Sequence, residues 1–263
     1  MAESSAIWSR KVCLNCGFTF PATGKRVYEH AQQLNELVRN VAAITEEKTD
    51  SLSGTLRITS AVYIGRKFVF PAVEALCDRY PNLTVDLQLS DAHVDIIKER
   101  FDLAFRIWKP KDVDLIGQNL LDVQFIIAAA PSFIEKYGTP DSIEALQSLP
   151  AIAYSRKGHT NKSFNYPDEA GKCRSFSLNA NLVINDAEQL SQSVARGERY
   201  FVPTNFMAAE AIRQGQLIQL LPNLKISVQE SVYAVYPNRA LPKAARMLIQ
   251  EVKQSLSACH MSV

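Results

Sequence analysis

The sequence predicts an α/β protein built on a parallel sheet and preceded by one long helix. Three observations predict it. Residues 55–106 read strand, helix, strand, helix, strand, which is the repeating unit of a parallel sheet. Residues 25–47 contain neither glycine nor proline, and their apolar positions recur in steps of 4, 3, 4 and 3. The remainder alternates short apolar runs with capped helical stretches, without internal repeats or low-complexity tracts.

The long helix comes first. Val27, Ala31, Leu34, Val38 and Val41 form a heptad seam, broadened by Leu37 and Ile44. A helix of about 22 residues spans roughly 33 Å. Such a seam packs on the chain's own globular domain or on a second copy. The second copy is expected, because no domain precedes the helix to cover it. Thr49 to Gly54 is a polar hinge into the sheet.

Thr55-Leu56-Arg57-Ile58-Thr59 alternates and is rich in β-branched residues, so it predicts the first strand. Phe68, Val69, Ala72, Val73, Leu76 and Tyr80 recur at three and four, a helix with one buried face. Pro71 falls near its first turns, and Tyr80-Pro81 closes it. Leu83 to Leu89 alternates as a second strand. Val94 to Arg100 predicts a short helix, and Asp102 to Arg106 a third strand.

These phrases carry a family resemblance. Ser53-Gly54-Thr55-Leu56-Arg57-Ile58, then Arg79-Tyr80-Pro81, then Phe101-Asp102-Leu103-Ala104-Phe105-Arg106 are separate, ordered and correctly spaced. Together they resemble the effector-binding domain of LysR-type transcriptional regulators, over roughly Phe20 to Ser257. The resemblance implies a periplasmic-binding-protein-like fold: two α/β lobes, two crossings between them, and a small ligand in the cleft. It also implies dimerisation through the linker helix. Phe18 to Ala31 is similar to the end of the family's winged helix-turn-helix, where a wing strand passes through a Thr-x-x-Gly-like turn into that helix. About twenty residues precede this point, too few for two helices and a supporting one. The reading head is therefore expected to be absent or truncated. Residues 1–50 also hold six Lys/Arg and six Asp/Glu, without the cation excess of a phosphate-binding face. The expected division is a remnant of the winged helix-turn-helix at 1–24, a linker and dimerisation helix at 25–50, and an effector domain at 51–263. Within that domain, lobe I takes 52–122 and 230–257, and lobe II takes 123–229.

Leu115 to Leu121 and Gln124 to Ala130 read as strands, with the crossing to the second lobe near Asp122. Pro131 starts a helix, with Ser132 and Glu135 spaced as a capping box, and Asp141 to Glu144 repeats the spacing. Gly158 to Gly171 is polar and hairpin-like, and Ser175 to Leu178 and Asn181 to Ile184 are short strands. Asn185-Asp186 caps a helix through Ala187, Leu190 and Val194 that ends at Gly197. Tyr200 to Pro203 is a strand, and Thr204 opens a helix that stops at Gly215. Leu217 to Pro222 is an edge strand, and Ser231 to Tyr236 returns to the first lobe. Ala245, Leu248, Ile249, Val252 and Leu256 make the last amphipathic helix.

Composition bounds the function. With 263 residues, the chain holds one or two domains, and 47% hydrophobic residues suffice for real cores. A formal net charge of +2 offers little evidence for a nucleic-acid partner. No run of about 18 apolar residues predicts a membrane span. Met1 to Ser5 lacks the basic and apolar regions of a secretory signal, so a cytoplasmic location is expected. The five cysteines are odd in number and irregular in spacing, which suits a reducing compartment. Cys13-Leu14-Asn15-Cys16 has the spacing of half a zinc site. With His30 the nearest histidine and no second cysteine pair, it reads as two ordinary thiols and no metal is expected.

No phosphate loop, nucleophile elbow or His-Glu-x-x-His is present, and the four histidines lie in unrelated contexts, so catalysis and a cofactor are not expected. Binding is. In open α/β sheets ligands sit beyond the carboxyl ends of strands, where helix N-termini offer free N–H groups. Those ends are Ser60-Ala61, Ser90-Asp91 and Arg106-Ile107-Trp108, with Val202-Pro203-Thr204 in the second lobe. The resemblance implies that these corners face one another, which makes Ser60, Ala61, Asp91, Arg106, Ile107, Val202, Pro203 and Thr204 the effector-binding candidates. Ser60 fits a carboxylate or a plain turn. Arg106 fits a bidentate anion clamp or a salt bridge to an acid such as Asp91 or Asp102. Thr204 fits an effector contact or an N-cap. Asp91 would repel an anion, orient Arg106, or prefer an amine. Where the family commonly has an apolar Gly-Leu-Gly-Ile-like turn, this chain has Gly197-Glu198-Arg199-Tyr200, so an altered second-lobe rim is expected. The expectation is a cytoplasmic LysR-type regulator that is at least dimeric or tetrameric. It binds a small organic effector, a carboxylate being one candidate, with DNA a partner only if the N-terminal domain is completed. A freestanding solute-binding protein is the alternative.

Overall fold

A computed structural model describes residues 24, 26, 27, 30, 31, 52–107, 110, 112–156, 159–168, 170–227, 230–237 and 241–260. The chain forms two compact units, Met1–Lys48 and Thr49–Val263. In the first, all described residues are helical; Val27 is 51% exposed and Ala31 is exposed as well. Leu34, Val38 and Val41 of the expected seam lie outside the described residues, as do Cys13 and Cys16.

The second unit opens with a five-stranded sheet. Its strands are β1 (Gly54–Ser60), β2 (Leu83–Leu89), β3 (Leu103–Arg106), β4 (Leu115–Val123) and β12 (Glu230–Pro237), in the order β2-β1-β3-β12-β4. β1 runs parallel to β2 and to β3, whereas β12 runs antiparallel to β3 and β4. The alternation read in residues 55–59 therefore places Leu56 and Ile58 in the core.

The crossover from β1 to β2 is longer than its apolar period predicts. It begins at Val62 rather than near Phe68, with α1 (Val62–Ile64), a π-helical turn (Gly65–Val69) and α2 (Phe70–Arg79) in one continuous run. The wide turn ends just before Pro71, whose ring removes an N–H from the ladder, so the change of hydrogen-bonding pattern falls where the ladder is already interrupted. Val94 to Arg100 is not a helix. It is a single turn in which Asp95 Oδ1 accepts Lys98 N at 3.0 Å and Arg100, at φ +59°, closes it. The left-handed residue ends the turn before a second one can form.

Lobe I closes with α7 (Lys243–His260), whose Ala245, Leu248, Ile249, Val252 and Leu256 are buried against Leu56, Ile58 and Phe105 in one core. The polypeptide leaves this lobe after β4 and returns in β12.

Lobe II holds β5 (Ile127–Ala129), α3 (Pro131–Tyr137), α4 (Ile143–Ser148), β6 (Ala151–Arg156), β7 (His159–Thr160), β8 (Ser163–Pro167), β9 (Cys173–Ser177) and β10 (Ala180–Ile184). α5 (Ala187–Ala195), α6 (Asn205–Arg213) and β11 (Ile218–Leu220) follow. β6 pairs with β10 in parallel, β5 with β11 antiparallel, and β8 with β9 as a hairpin. Tyr200 and Phe201 join these pieces through single bridges to Ala151 and Ala128, a shorter contact than the expected four-residue strand. The capping box at Ser132 is absent: Ala130 occupies the N-cap of α3 and Pro131 the first helical position. Ser142 does cap α4 through Ala145 N, and Asp186 caps α5 by accepting from Glu188 N and Gln189 N.

α6 ties the lobes together. Phe206 is buried in the lobe I core, while Ala208 belongs to a lobe II core. Ile126 N donates to Pro203 O at 3.0 Å and Asn205 N to Gln124 O at 2.7 Å, so the first crossing is laced to the start of α6. Among the described residues no helix is long and apolar enough to cross a membrane.

Candidate functional site

The site grows from the carboxyl ends of β1, β2 and β3. Ser60 pairs with Leu89 on one side and Phe105 on the other, so the three strands end side by side. Ala61 N then donates to Phe105 O at 3.0 Å, and Ser90 N to Ser60 O at 2.9 Å, which fixes the departing loops. α1 rises from Ala61 with its first N–H groups unsatisfied within the helix. Asp91 Oδ1 accepts Val62 N at 3.0 Å, so a carboxylate of the chain itself occupies the helix N-terminus.

Two candidates prove structural. Ser60 is fully buried, and its hydroxyl donates to Ala61 O. A Cβ added at Gly65 would lie 3.3 Å from Ser60 Oγ, so the π-helical turn rests directly on this serine. Arg106 is 3% exposed; its guanidinium donates to Ser90 O and, at 2.7 Å, to Thr59 Oγ1. Neither residue lines the cleft, which favours the turn at Ser60 over a carboxylate contact and leaves Arg106 no place to clamp an anion there. The hydroxyl and the guanidinium are consumed in bracing the strand ends.

The other six candidates come together. Ala61, Asp91 and Ile107 from lobe I, and Val202, Pro203 and Thr204 from lobe II, line one cavity of about 380 Å³ between the lobes. Its volume falls within the roughly 300–1,000 Å³ usual for small-molecule sites. Ile64, Phe125, Ile152, Phe164, Leu190 and Phe201 give it an apolar body. Its polar groups are Tyr63, Asp91, Tyr154, Asn161, Thr204 and Glu230. Tyr154 OH donates to Asp91 Oδ2 at 3.5 Å and Tyr63 OH to Met207 O at 3.4 Å, each across the cleft. Burial, and secondarily Cys259, push the Tyr63 phenol well above the usual tyrosine range. Thr204 sits at the N-cap of α6 but makes no capping bond; its hydroxyl is buried without a partner among the described residues. Outside, a wider mouth of about 860 Å³ shares Tyr63, Asp91 and Tyr154 with the cavity. There Arg66 and Glu188 pair across the opening at 2.9 Å.

Ile152, Tyr154 and Phe164 escape the sequence reading because β6 and β8 contribute only one or two side chains each to the cleft. Ala187 and Leu190 are legible as an apolar helix stripe, but that stripe faces the cavity as well as the core. The altered turn Gly197-Glu198-Arg199-Tyr200 does not reshape the rim. Tyr200 is fully buried in a lobe II core, its ring 6.2 Å from that of Phe133, while the next residue, Phe201, faces the cavity. Glu198 pairs with Lys136, and Arg199 Nε donates to Asn181 Oδ1. The departure is absorbed behind the site.

The model of the LysR substrate binding domain matches residues 49–257. The chain belongs to the LysR family. Its curated relatives include HTH-type transcriptional regulators. It is 28% identical over 240 residues to the HTH-type transcriptional regulator DmlR of Escherichia coli K12, covering 90% of this chain and 76% of that protein. It is 27% identical over 221 residues to the HTH-type transcriptional activator TtdR of the same organism, covering 84% and 70%. Solved LysR structures share the fold. The CrgA regulatory domain from Neisseria meningitidis superposes with a TM-score of 0.67 at 23% identity, covering 78% of this chain and all of that one. Full-length AphB from Vibrio cholerae gives 0.65 at 21% identity, covering 90% and 80%. The two-lobed, periplasmic-binding-protein-like architecture is thus the family's own.

Proposed function

We propose that this LysR-family chain senses a small organic effector in the cavity between its lobes, with Ala61, Asp91, Ile107, Val202, Pro203 and Thr204 among the contacts. One observation carries the reading: an apolar cavity, with a few polar groups, is walled by the carboxyl ends of lobe I strands and by the opposing start of α6. That is where ligands bind in open α/β sheets. Because α6 is built into both cores, a ligand that draws the lobes together shifts it, provided the two arrangements differ in affinity for that ligand. The seam Val27, Ala31, Leu34, Val38 and Val41 supplies the dimer through which the lobes' state reaches DNA, and the exposure of Val27 and Ala31 supports this.

The experiment is a thermal-shift screen of small organic molecules on the full chain and on Leu190→Trp, whose indole fills the cavity. Compounds that stabilise the parent and not the variant support the reading. Compounds that stabilise both equally bind elsewhere and contradict it. Sedimentation of Val27→Glu/Leu34→Glu beside the parent tests the seam: a dimer that falls to a monomer is the expected result.

A further inference from the structure

We infer that the cavity selects a cationic effector, an apolar-bodied molecule bearing a protonated amine, which Asp91 receives. The inference rests on the cavity being the effector site and adds the chemical class. It starts from charge. Among the described residues, Asp91 and Glu230 line the cavity, and no lysine, arginine or histidine does. The mouth keeps a smaller bias of the same sign: Arg66 pairs with Glu188 and Arg213 with Glu210, which leaves Asp91 and Asp186 against Lys67 among its lining charges. A cleft lined by one sign of charge raises the local concentration of the opposite sign.

The leading N–H groups that could hold an anion are taken from within. Asp91 caps α1 at Val62 N. Asp186 caps α5 at Glu188 N and Gln189 N. The first N–H of α6, on Asn205, donates to Gln124 O. Two cations adjoin the cavity wall in sequence: Arg106, beside Ile107, is spent on Thr59 and Ser90 beneath it, and Lys162, beside Asn161, donates to Ala180 O. Among the described residues, an incoming carboxylate would meet Asp91 with no cation lining the cavity.

A cation meets the reverse. A carboxylate offers about four acceptor positions on two oxygens, and Asp91 uses one for Val62 N and one for Tyr154 OH. The rings of Tyr63, Phe125, Tyr154, Phe164 and Phe201 surround the same space, and aromatic faces attract ammonium groups. Independently of the acids, Thr204 places a buried hydroxyl without a partner on the wall. A buried hydroxyl left unpaired is costly, and an ammonium N–H satisfies it as donor to its oxygen.

The test is calorimetric titration of the full chain with three probes that share a phenethyl body: phenethylamine, 3-phenylpropionate and 2-phenylethanol. Asp91→Asn and Leu190→Trp are titrated in parallel. The asparagine keeps an oxygen for Val62 N, and circular dichroism checks that both variants fold. The expected result is that the amine binds most tightly. Asp91→Asn then weakens it about 10- to 100-fold, the range of a charge-assisted hydrogen bond, and leaves the alcohol within about twofold. Tightest binding by the carboxylate, amine binding indifferent to Asp91→Asn, or no amine binding at all overturns the cationic assignment. Carboxylate or alcohol binding tighter than the amine's, and abolished by Leu190→Trp, would do so while leaving the cavity as the effector site. Binding of every probe unchanged by Leu190→Trp would remove the site itself.

Discussion

The Arg106 guanidinium lies under the end of the sheet and donates to Thr59 Oγ1 at 2.7 Å, joining β3 to β1. A buried cation that braces two strands is a stability element. Arg106→Met retains much of the volume but leaves Thr59 and the Ser90 carbonyl short of donors. It should cost about 2–4 kcal/mol. Urea unfolding followed by circular dichroism measures this, and ligand affinity per folded molecule should change little.

Gly197 holds φ +76° where α5 turns toward Tyr200. An added Cβ there would sit 2.9 Å from Ser132 Cβ and 3.2 Å from the Phe133 backbone nitrogen. Gly197→Ala combines left-handed strain with a clash against Ser132, whose Cβ is fixed to the first turn of α3. A loss of about 2–3 kcal/mol is expected, seen as a lower denaturation midpoint with an unchanged m-value.

Tyr200 is fully buried, its hydroxyl has no partner among the described residues, and burial raises its pKa above the ordinary phenol value. The sign follows from linkage. The folded state favours the neutral phenol, so the unfolded chain loses the proton first, near pH 10. Stability is therefore fully present below about pH 10 and drains away above it. Tyr200→Phe should flatten that alkaline loss by up to one group's slope, about 1.4 kcal/mol per pH unit. At neutral pH it should be neutral or stabilising by about 1 kcal/mol, because an unpaired buried hydroxyl is removed. Denaturation midpoints from pH 8 to 11 test both.

Arg66 and Glu188 meet across the mouth at 2.9 Å, but their side chains remain 55% and 60% exposed. A double-mutant cycle to alanine should return a coupling of about 0.2–1 kcal/mol, shrinking as salt is added. A larger, salt-resistant value would mean that the pair is a structural clasp.

Much of lobe I is legible because its strands obey a period of two and its crossover a period near 3.6. Leu56, Ile58, Ala72, Val73 and Leu76 announce their burial. The helix start at Val62 is not legible, since Ala61 and Val62 carry no capping side chain and the cap arrives from Asp91, 29 residues away. Val94 to Arg100 has helical composition, and only the left-handed Arg100 shows why it stops. The strand ends locate the site correctly as a place. They do not say which side chains turn into it: Ser60 and Asp91 both follow strands, yet one turns under α1 and the other into the cleft. The close seat of Gly65 on Ser60 accompanies that difference, a contact that forms only once the chain has turned from β1 into α1 and that no apolar period announces.

The most direct test of the central claim, a ligand-binding cleft closed by both lobes, is crystallography of the full chain soaked with mixed small apolar fragments. The predicted result is fragment density between Ala61 and Thr204, against Ile152 and Leu190, with a polar group turned to Asp91. Fragments bound only elsewhere, with the walls of this cavity packed together and no room between them, would contradict it.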